Sequence, residues 1–310
     1  MSELQVQNRL DAPHVGNASP LYPLISSKIR FSQGLSRLSE DTTHLWSAEW
    51  WGLPDCGFYN ALSSEIQNNI LYACNRTILN EAYFIEKSGL AYSAKMVLLA
   101  ESTDVAQLYA FIGADEARHL AWLEPYVAEE DKTRPYGEFL AFLSRLIEEA
   151  PPRLLVYLVQ IILEGWGLDH YKRLADGCQQ NQLKDVFLNI LKDEALHHKS
   201  GSLLFKPAKL QSDDLKIMRE AMIAYANMVR IGRWTIVMAI EHIVGKLSVD
   251  EVKDVLIALK HFEESHRKLQ LLKSLMRQPG MEMLVDELEA AGVFASLAPQ
   301  EAAEVYVRCH

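Results

Sequence analysis

The chain has 310 residues, 49% of them hydrophobic and 23% charged, enough apolar content to bury a sizeable core in one large domain or two. A formal net charge of −10 disfavours a general nucleic-acid surface and binding to acidic membranes. Four scattered cysteines, Cys56, Cys74, Cys178 and Cys309, form no C-x-x-C pair, which argues against a cysteine zinc site and fits free thiols in a reducing compartment.

The first twenty residues lack the basic start and apolar centre of a signal peptide, and residues 1–20 read as a loose, polar arm. A single helical domain is expected over 21–310. No stretch approaches the ~18 uninterrupted apolar residues of a membrane span. The most apolar, "LLVYLVQIIL" at 154–163, ends at Glu164. A soluble, cytoplasmic protein is the expectation.

The chain reads as helix after helix, with no useful strand alternation. One long helix is predicted from about Ser64 to Glu101, ended by "ESTD", which also caps a second helix from about Asp104 to Val127. A shorter helix covers roughly Tyr136 to Glu149. The pair Pro151–Pro152 suits the opening of the next, which runs to about Ala175. After the turn "DGCQQNQ" a further helix reaches about Leu204. Two long helices are predicted over 212–246 and 249–277, with a short helical tail beyond "QPG".

Residues 115–119 read "DEARH" and residues 193–197 read "DEALH". Glu116 and His119 are three apart on a helix and project from one face, as do Glu194 and His197. One such pair is more often a solvated surface than a ligand set, but two pairs coincide with a second regularity. Glu86 precedes Glu116 by 30 residues, and Glu164 precedes Glu194 by the same 30. The midpoints, 101 and 179, both fall in predicted turns. In two antiparallel hairpins each carboxylate therefore lies about 15 residues, or roughly 22 Å, from its turn. Glu81 is the rival to Glu86, but pairing it with Glu116 puts the turn inside "KMVLLA", and Leu79, Ala82 and Leu90 surround Glu86 at helical spacing. Glu86 is preferred.

Glu164 has Tyr157, Ile161, Leu168 and Tyr171 as same-face neighbours, and Glu194 has Phe187, Ile190 and Leu191. Four acids converging in a bundle interior repel one another and lose their hydration. The bland reading is a core of protonated or hydrogen-bonded acids; two divalent cations balance four Glu more directly, with two neutral His completing the shell. Oxygen-rich ligation with one imidazole per metal suits iron or manganese.

A Glu on one helix and Glu-x-x-His on the next, given twice, resembles the ferritin-like di-iron carboxylate superfamily over about residues 86–197. That resemblance implies an all-α, ferritin-like four-helix bundle, its metal-binding core about 64–205, with additional C-terminal helices. It implies Glu86, Glu116, His119, Glu164, Glu194 and His197 as metal ligands and catalytic residues, with Asp115 and Asp193 behind the ligand histidines. More than a hundred residues follow the last ligand, unlike ferritins and more like ribonucleotide reductase small subunits and di-iron oxygenases. Leu123 stands where radical-bearing subunits usually have a tyrosine, and Ile190 where arylamine N-oxygenases carry a further histidine.

The expected activity is that of a non-haem dinuclear iron oxidase or oxygenase that uses O2 to oxidise a small or apolar organic substrate. The alternatives are a ferroxidase or metal-handling protein and a radical-generating, reductase-like subunit. Two Fe are the expected metals, with Mn/Fe or Mn/Mn admitted by the same ligands. No Rossmann or phosphate-binding fingerprint appears, so reducing power is expected from an external electron donor. A homodimer follows from the resemblance.

Other residues read more plainly. "HFEESH" at 261–266 is expected to be an exposed helix face. Glu241 and His242 read as a buried bonded pair or as an acid or base near a substrate channel. His198 points ~100° away from His197 and reads as support or surface. Tyr83, Tyr109, Tyr157 and Tyr171 read as core aromatics, and the tryptophans of "WSAEWWGLPDCGFY" as packing for an N-terminal segment.

Overall fold

A computed structural model of the protein describes residues 45–133 and 138–309; the expected N-terminal arm lies outside the described residues. Every regular element among them is helical. The described residues fall into two compact units, one of residues 76–133 and 138–152, the other of 45–75 and 153–309. No helix among them is long and apolar enough to cross a membrane.

Two short helices, α1 (Ala48–Trp51) and α2 (Gly57–Asn60), precede the 35-residue α3 (Ser64–Leu98), whose residues from 76 onward belong to the first unit. That unit continues with α4 (Thr103–Leu123) and α5 (Glu138–Glu149). Ser102, in extended conformation, accepts the Val105 N–H on its Oγ and starts α4, the cap expected within "ESTD". The pairings Glu86 with His119, Gly89 with Glu116, Ser93 with Gly113 and Tyr92 with Tyr109 show α3 and α4 running antiparallel. Lys95 donates to the carbonyls of Ile147, Glu148 and Ala150 at 2.6, 3.0 and 2.8 Å. One cation so satisfies the carbonyls that the end of α5 leaves without helical partners, where the macrodipole also favours positive charge. Arg76 forks onto Asp131 at 2.7 and 2.8 Å, and Asn80 donates to the Asp131 carbonyl.

In the second unit the helix predicted from Pro152 to about Ala175 is not uniformly α-helical. It comprises α6 (Pro152–Leu155), a π-helical segment over Val156–Leu163, and α7 (Glu164–Gly177). The N–H of Glu164 bonds back to the carbonyl of Val159, five residues earlier, the defining bond of a π-turn. The sequence of this stretch is apolar on all sides, so no periodicity was present to reveal the change of register. Helix α8 (Asn181–Leu204) returns antiparallel to α7 after a three-residue turn, with Tyr171 stacked on Phe187. Trp46 donates its indole N–H to the Leu174 carbonyl and Trp51 to Asn75 Oδ1, so these tryptophans fasten the segment before α3 to the unit's core.

The two long helices predicted next are each broken in two. A turn through Gly232 separates α9 (Ser212–Arg230) from α10 (Trp234–Val244), and Lys260, at φ 52°, separates α11 (Val249–Ala258) from α12 (His261–Met276). A lysine tolerates that left-handed conformation at a cost, and the helix cannot continue through it. The tail comprises α13 (Glu282–Ala290) and α14 (Pro299–Cys309). Glu241 accepts from Tyr306 Oη, Lys246 Nζ and the Leu247 N–H, which fixes the end of α10 against α14, while His242 is exposed.

The expected exposed face over 261–266 is corrected at two positions. His261 is fully buried and Ser265 nearly so, because they lie one helical turn apart on the inner side of α12. His261 Nδ1 lies 3.5 Å from Ser265 Oγ, and Nε2 has no hydrogen-bond partner among the described residues. Burial, reinforced by the positive charge of Arg233, pushes the imidazole down to about 4. Below the ordinary histidine value the unfolded chain takes up a proton that the folded chain refuses, so stability present above pH 6.5 is lost as pH falls towards 4. Urea unfolding of the wild type and of His261→Leu across that window should show the wild type losing roughly 3 kcal/mol more than the variant, the linkage equivalent of the depressed value.

Candidate metal centre

Helices α3 and α4 build the first of two similar triads. Glu86, Glu116 and His119 are 1%, 3% and 0% exposed, although two are carboxylates. His119 Nδ1 lies 2.9 Å from Glu86 Oε2 and 3.7 Å from Glu116 Oε2. The spacing of three brings Glu116 and His119 onto one face of α4, and Glu86 meets them from α3 at the height expected from the hairpin. Glu81, by contrast, is only half-buried and belongs to neither of the candidate metal-holding groups.

Gly89 accounts for the close fit. It lies almost one turn beyond Glu86 on α3, and a Cβ added there would fall 2.6 Å from the Glu116 carboxyl carbon. The missing side chain is what lets the Glu116 carboxylate lie against α3. On the other flank of His119 stands Trp122, with ring centroids 5.7 Å apart, and the Arg118 guanidinium lies over the Trp122 ring. Arg118 also forms a close ion pair with Asp115, the residue before Glu116.

The second triad lies between α7 and α8. Glu164, Glu194 and His197 are 8%, 4% and 0% exposed. His197 Nδ1 is 3.9 Å from Glu164 Oε2 and 3.7 Å from Glu194 Oε1. In both triads the histidine therefore turns the same ring nitrogen, Nδ1, towards two carboxylates of its own hairpin. Within each triad the candidate ligand atoms lie within 4.8 Å of one another.

This donor set fits a hard or borderline divalent cation, being two carboxylates and one imidazole with no sulfur in each triad. The four free cysteines do not contribute: Cys56, Cys74 and Cys178 are buried apart from both groups, and burial pushes the Cys74 thiol up to about 12, where it stays protonated. The tyrosines read as core aromatics are all buried: Tyr157 donates to the Met276 carbonyl, and Tyr109 packs edge-on to Tyr92.

Two supporting residues, Gly89 and Gln160, escaped the sequence reading, and a third, His198, did not. Gly89 gave no signal, since a helical glycine looks the same whether or not a carboxylate fills its space. Gln160 did: it is a lone amide within an apolar run, and it is fully buried, donating to the His197 carbonyl and to Ser200 Oγ. His198, read as support or surface, contacts the Ile161 carbonyl through Nδ1 at 3.0 Å.

No protein-family model matches the chain, and neither a curated protein nor a solved structure matches it.

The geometry around Gly89 generates a specific expectation. In Gly89→Ala, the better helix former offsets part of the steric cost, so urea stability should change by no more than about 1 kcal/mol. The Glu116 carboxylate must move aside, and Fe(II) affinity, measured by anaerobic titration, should fall at least about tenfold, equivalent to ~1.4 kcal/mol.

Proposed function

We propose that each triad holds one divalent metal ion, and that the protein is an O2-dependent, non-haem di-iron oxidase or oxygenase acting on a small or apolar organic substrate. The observation that carries this reading is the burial of Glu86, Glu116, Glu164 and Glu194, each with a histidine Nδ1 within 4 Å. A carboxylate out of water needs a proton, a hydrogen-bonded cation or a metal. Four of them balance two divalent ions in charge, and the two histidines supply one neutral donor to each.

Iron bound there would supply O2 activation, and this reading places the remaining work on the chain's own side chains. Glu86 and Glu164 are the carboxylates from the first helix of each hairpin, and Glu116 and Glu194 those of the second helix, beside the histidines. Carboxylates can change between one-oxygen and two-oxygen ligation, which lets such a shell adapt as charge changes during turnover. The histidines must stay neutral at Nδ1 to donate a lone pair. Ile161 and Ile162, just before Glu164, and Phe187 and Ile190, on α8 before Glu194, are all buried, and on this reading they would keep water from the reacting atoms. That apolar lining favours a substrate with hydrocarbon or aromatic character. Electrons come, on this reading, from a separate donor, since no nucleotide-binding fingerprint occurs in the sequence.

Anaerobic Fe(II) titration should reach two ions per chain, and Glu116→Ala combined with Glu194→Ala should abolish tight uptake. Air admitted to the loaded protein should then consume O2 faster in the presence of an accepted fatty aldehyde, fatty acid or arylamine. Uptake of many irons per chain without any substrate effect would mark a ferroxidase, and no uptake at all would remove the metal reading.

A further inference from the structure

Resting on the metal-centre reading, we propose that Gln160 and His198 are positioning residues: they lock the π-helical segment Val156–Leu163 to α8 and thereby set the direction of Glu164 relative to His197.

A π-turn takes up one residue more than an α-turn, so every residue beyond it is rotated by about 100° from where an unbroken α-helix would place it. Glu164 is the first residue past this segment, and its own N–H makes the closing five-residue bond to Val159. The direction of its carboxylate therefore depends on the segment remaining π-helical. The stretch would relax towards ordinary α-helical bonding unless something outside it holds the wider turn.

Two neighbouring contacts do so. Gln160 Nε2 donates to the His197 carbonyl at 3.0 Å and to Ser200 Oγ at 2.7 Å, and Ser200 Oγ itself donates to the His197 carbonyl at 2.8 Å. One residue along, His198 Nδ1 lies 3.0 Å from the Ile161 carbonyl. A carbonyl only accepts, so that nitrogen carries the ring proton. The bridge thus runs in both directions: a side chain of the π-segment holds the backbone of His197, and the side chain after His197 holds the backbone of the π-segment.

Two glycines admit this contact. A Cβ on Gly201 would fall 2.8 Å from Gln160 Cγ and 3.2 Å from the Gln160 backbone carbon. A Cβ on Gly165, the residue after Glu164, would fall 2.9 Å from the His198 ring. A buried amide in an apolar run is retained only when bonded, and Gln160 spends both of its N–H donors on this one turn of α8.

The test uses Co(II) binding to the full chain, read by affinity, stoichiometry and the visible ligand-field spectrum, with urea unfolding of each metal-free protein alongside. Gln160→Leu keeps the apolar volume and removes both bonds. His198→Leu removes the second contact, whereas His198→Asn keeps a side-chain N–H near the place of Nδ1. We expect the two leucine variants to bind Co(II) at least tenfold more weakly with an altered spectrum, and His198→Asn to return towards the wild type in both. If Gln160→Leu does not fold, the two His198 variants decide. Wild type that binds no Co(II) overturns the metal reading itself. Wild type that binds two ions, with leucine variants matching it in affinity and spectrum, overturns the positioning role alone.

Discussion

Carboxylates and imidazoles removed from water impose the strictest demand on this molecule. A buried ion costs several kcal/mol unless another charge or a set of donors meets it, and here four glutamates and two histidines are each less than a tenth exposed. The helices around them are arranged to meet that demand. α3 brings Glu86 to His119 and leaves a gap at Gly89 for Glu116, while α7 and α8 bring Glu164 and Glu194 to His197. The closest of these approaches is that of His119 Nδ1 to Glu86 Oε2, at 2.9 Å.

The two hairpins solve the problem alike but support it differently. The first relies on a space left by glycine, with Trp122 beside the histidine and Arg118 above the indole. The second relies on a change of helical register, held by an amide and an imidazole from opposite sides. The first device acts on the carboxylate directly, by leaving it room, and the second acts on it through backbone position. A point change at Gly89 or Gln160 therefore touches the site's geometry without removing any candidate ligand.

Much of this was legible from residue spacing. The equal 30-residue separations located both turns, and α4 begins at Thr103 and α8 at Asn181, close to the midpoints at 101 and 179. The three-residue spacing within Glu-x-x-His put each pair on one face, since helix geometry leaves no other outcome. The π-segment was not legible. A run such as "VYLVQIIL" has a single polar residue and no helical periodicity, and the residues that bond to it from outside, Ser200, His198 and Tyr225, lie far away in sequence. The breaks at Gly232 and Lys260 were likewise hidden, because a lone glycine or lysine between helical stretches fixes no break and the left-handed φ of Lys260 shows only in the fold. His261 shows the limit from another side: a polar string, "HFEESH", placed its first residue inward because the phase of α12 is set by Leu269, Leu272 and Met276.

The central claim is that each buried triad holds one metal ion. Fe(II) loaded anaerobically into the wild type, His119→Leu and His197→Leu, with bound iron counted per chain, tests it directly. The account predicts two irons in the wild type and one in each variant. Two irons retained in either variant, or none in the wild type, would contradict it.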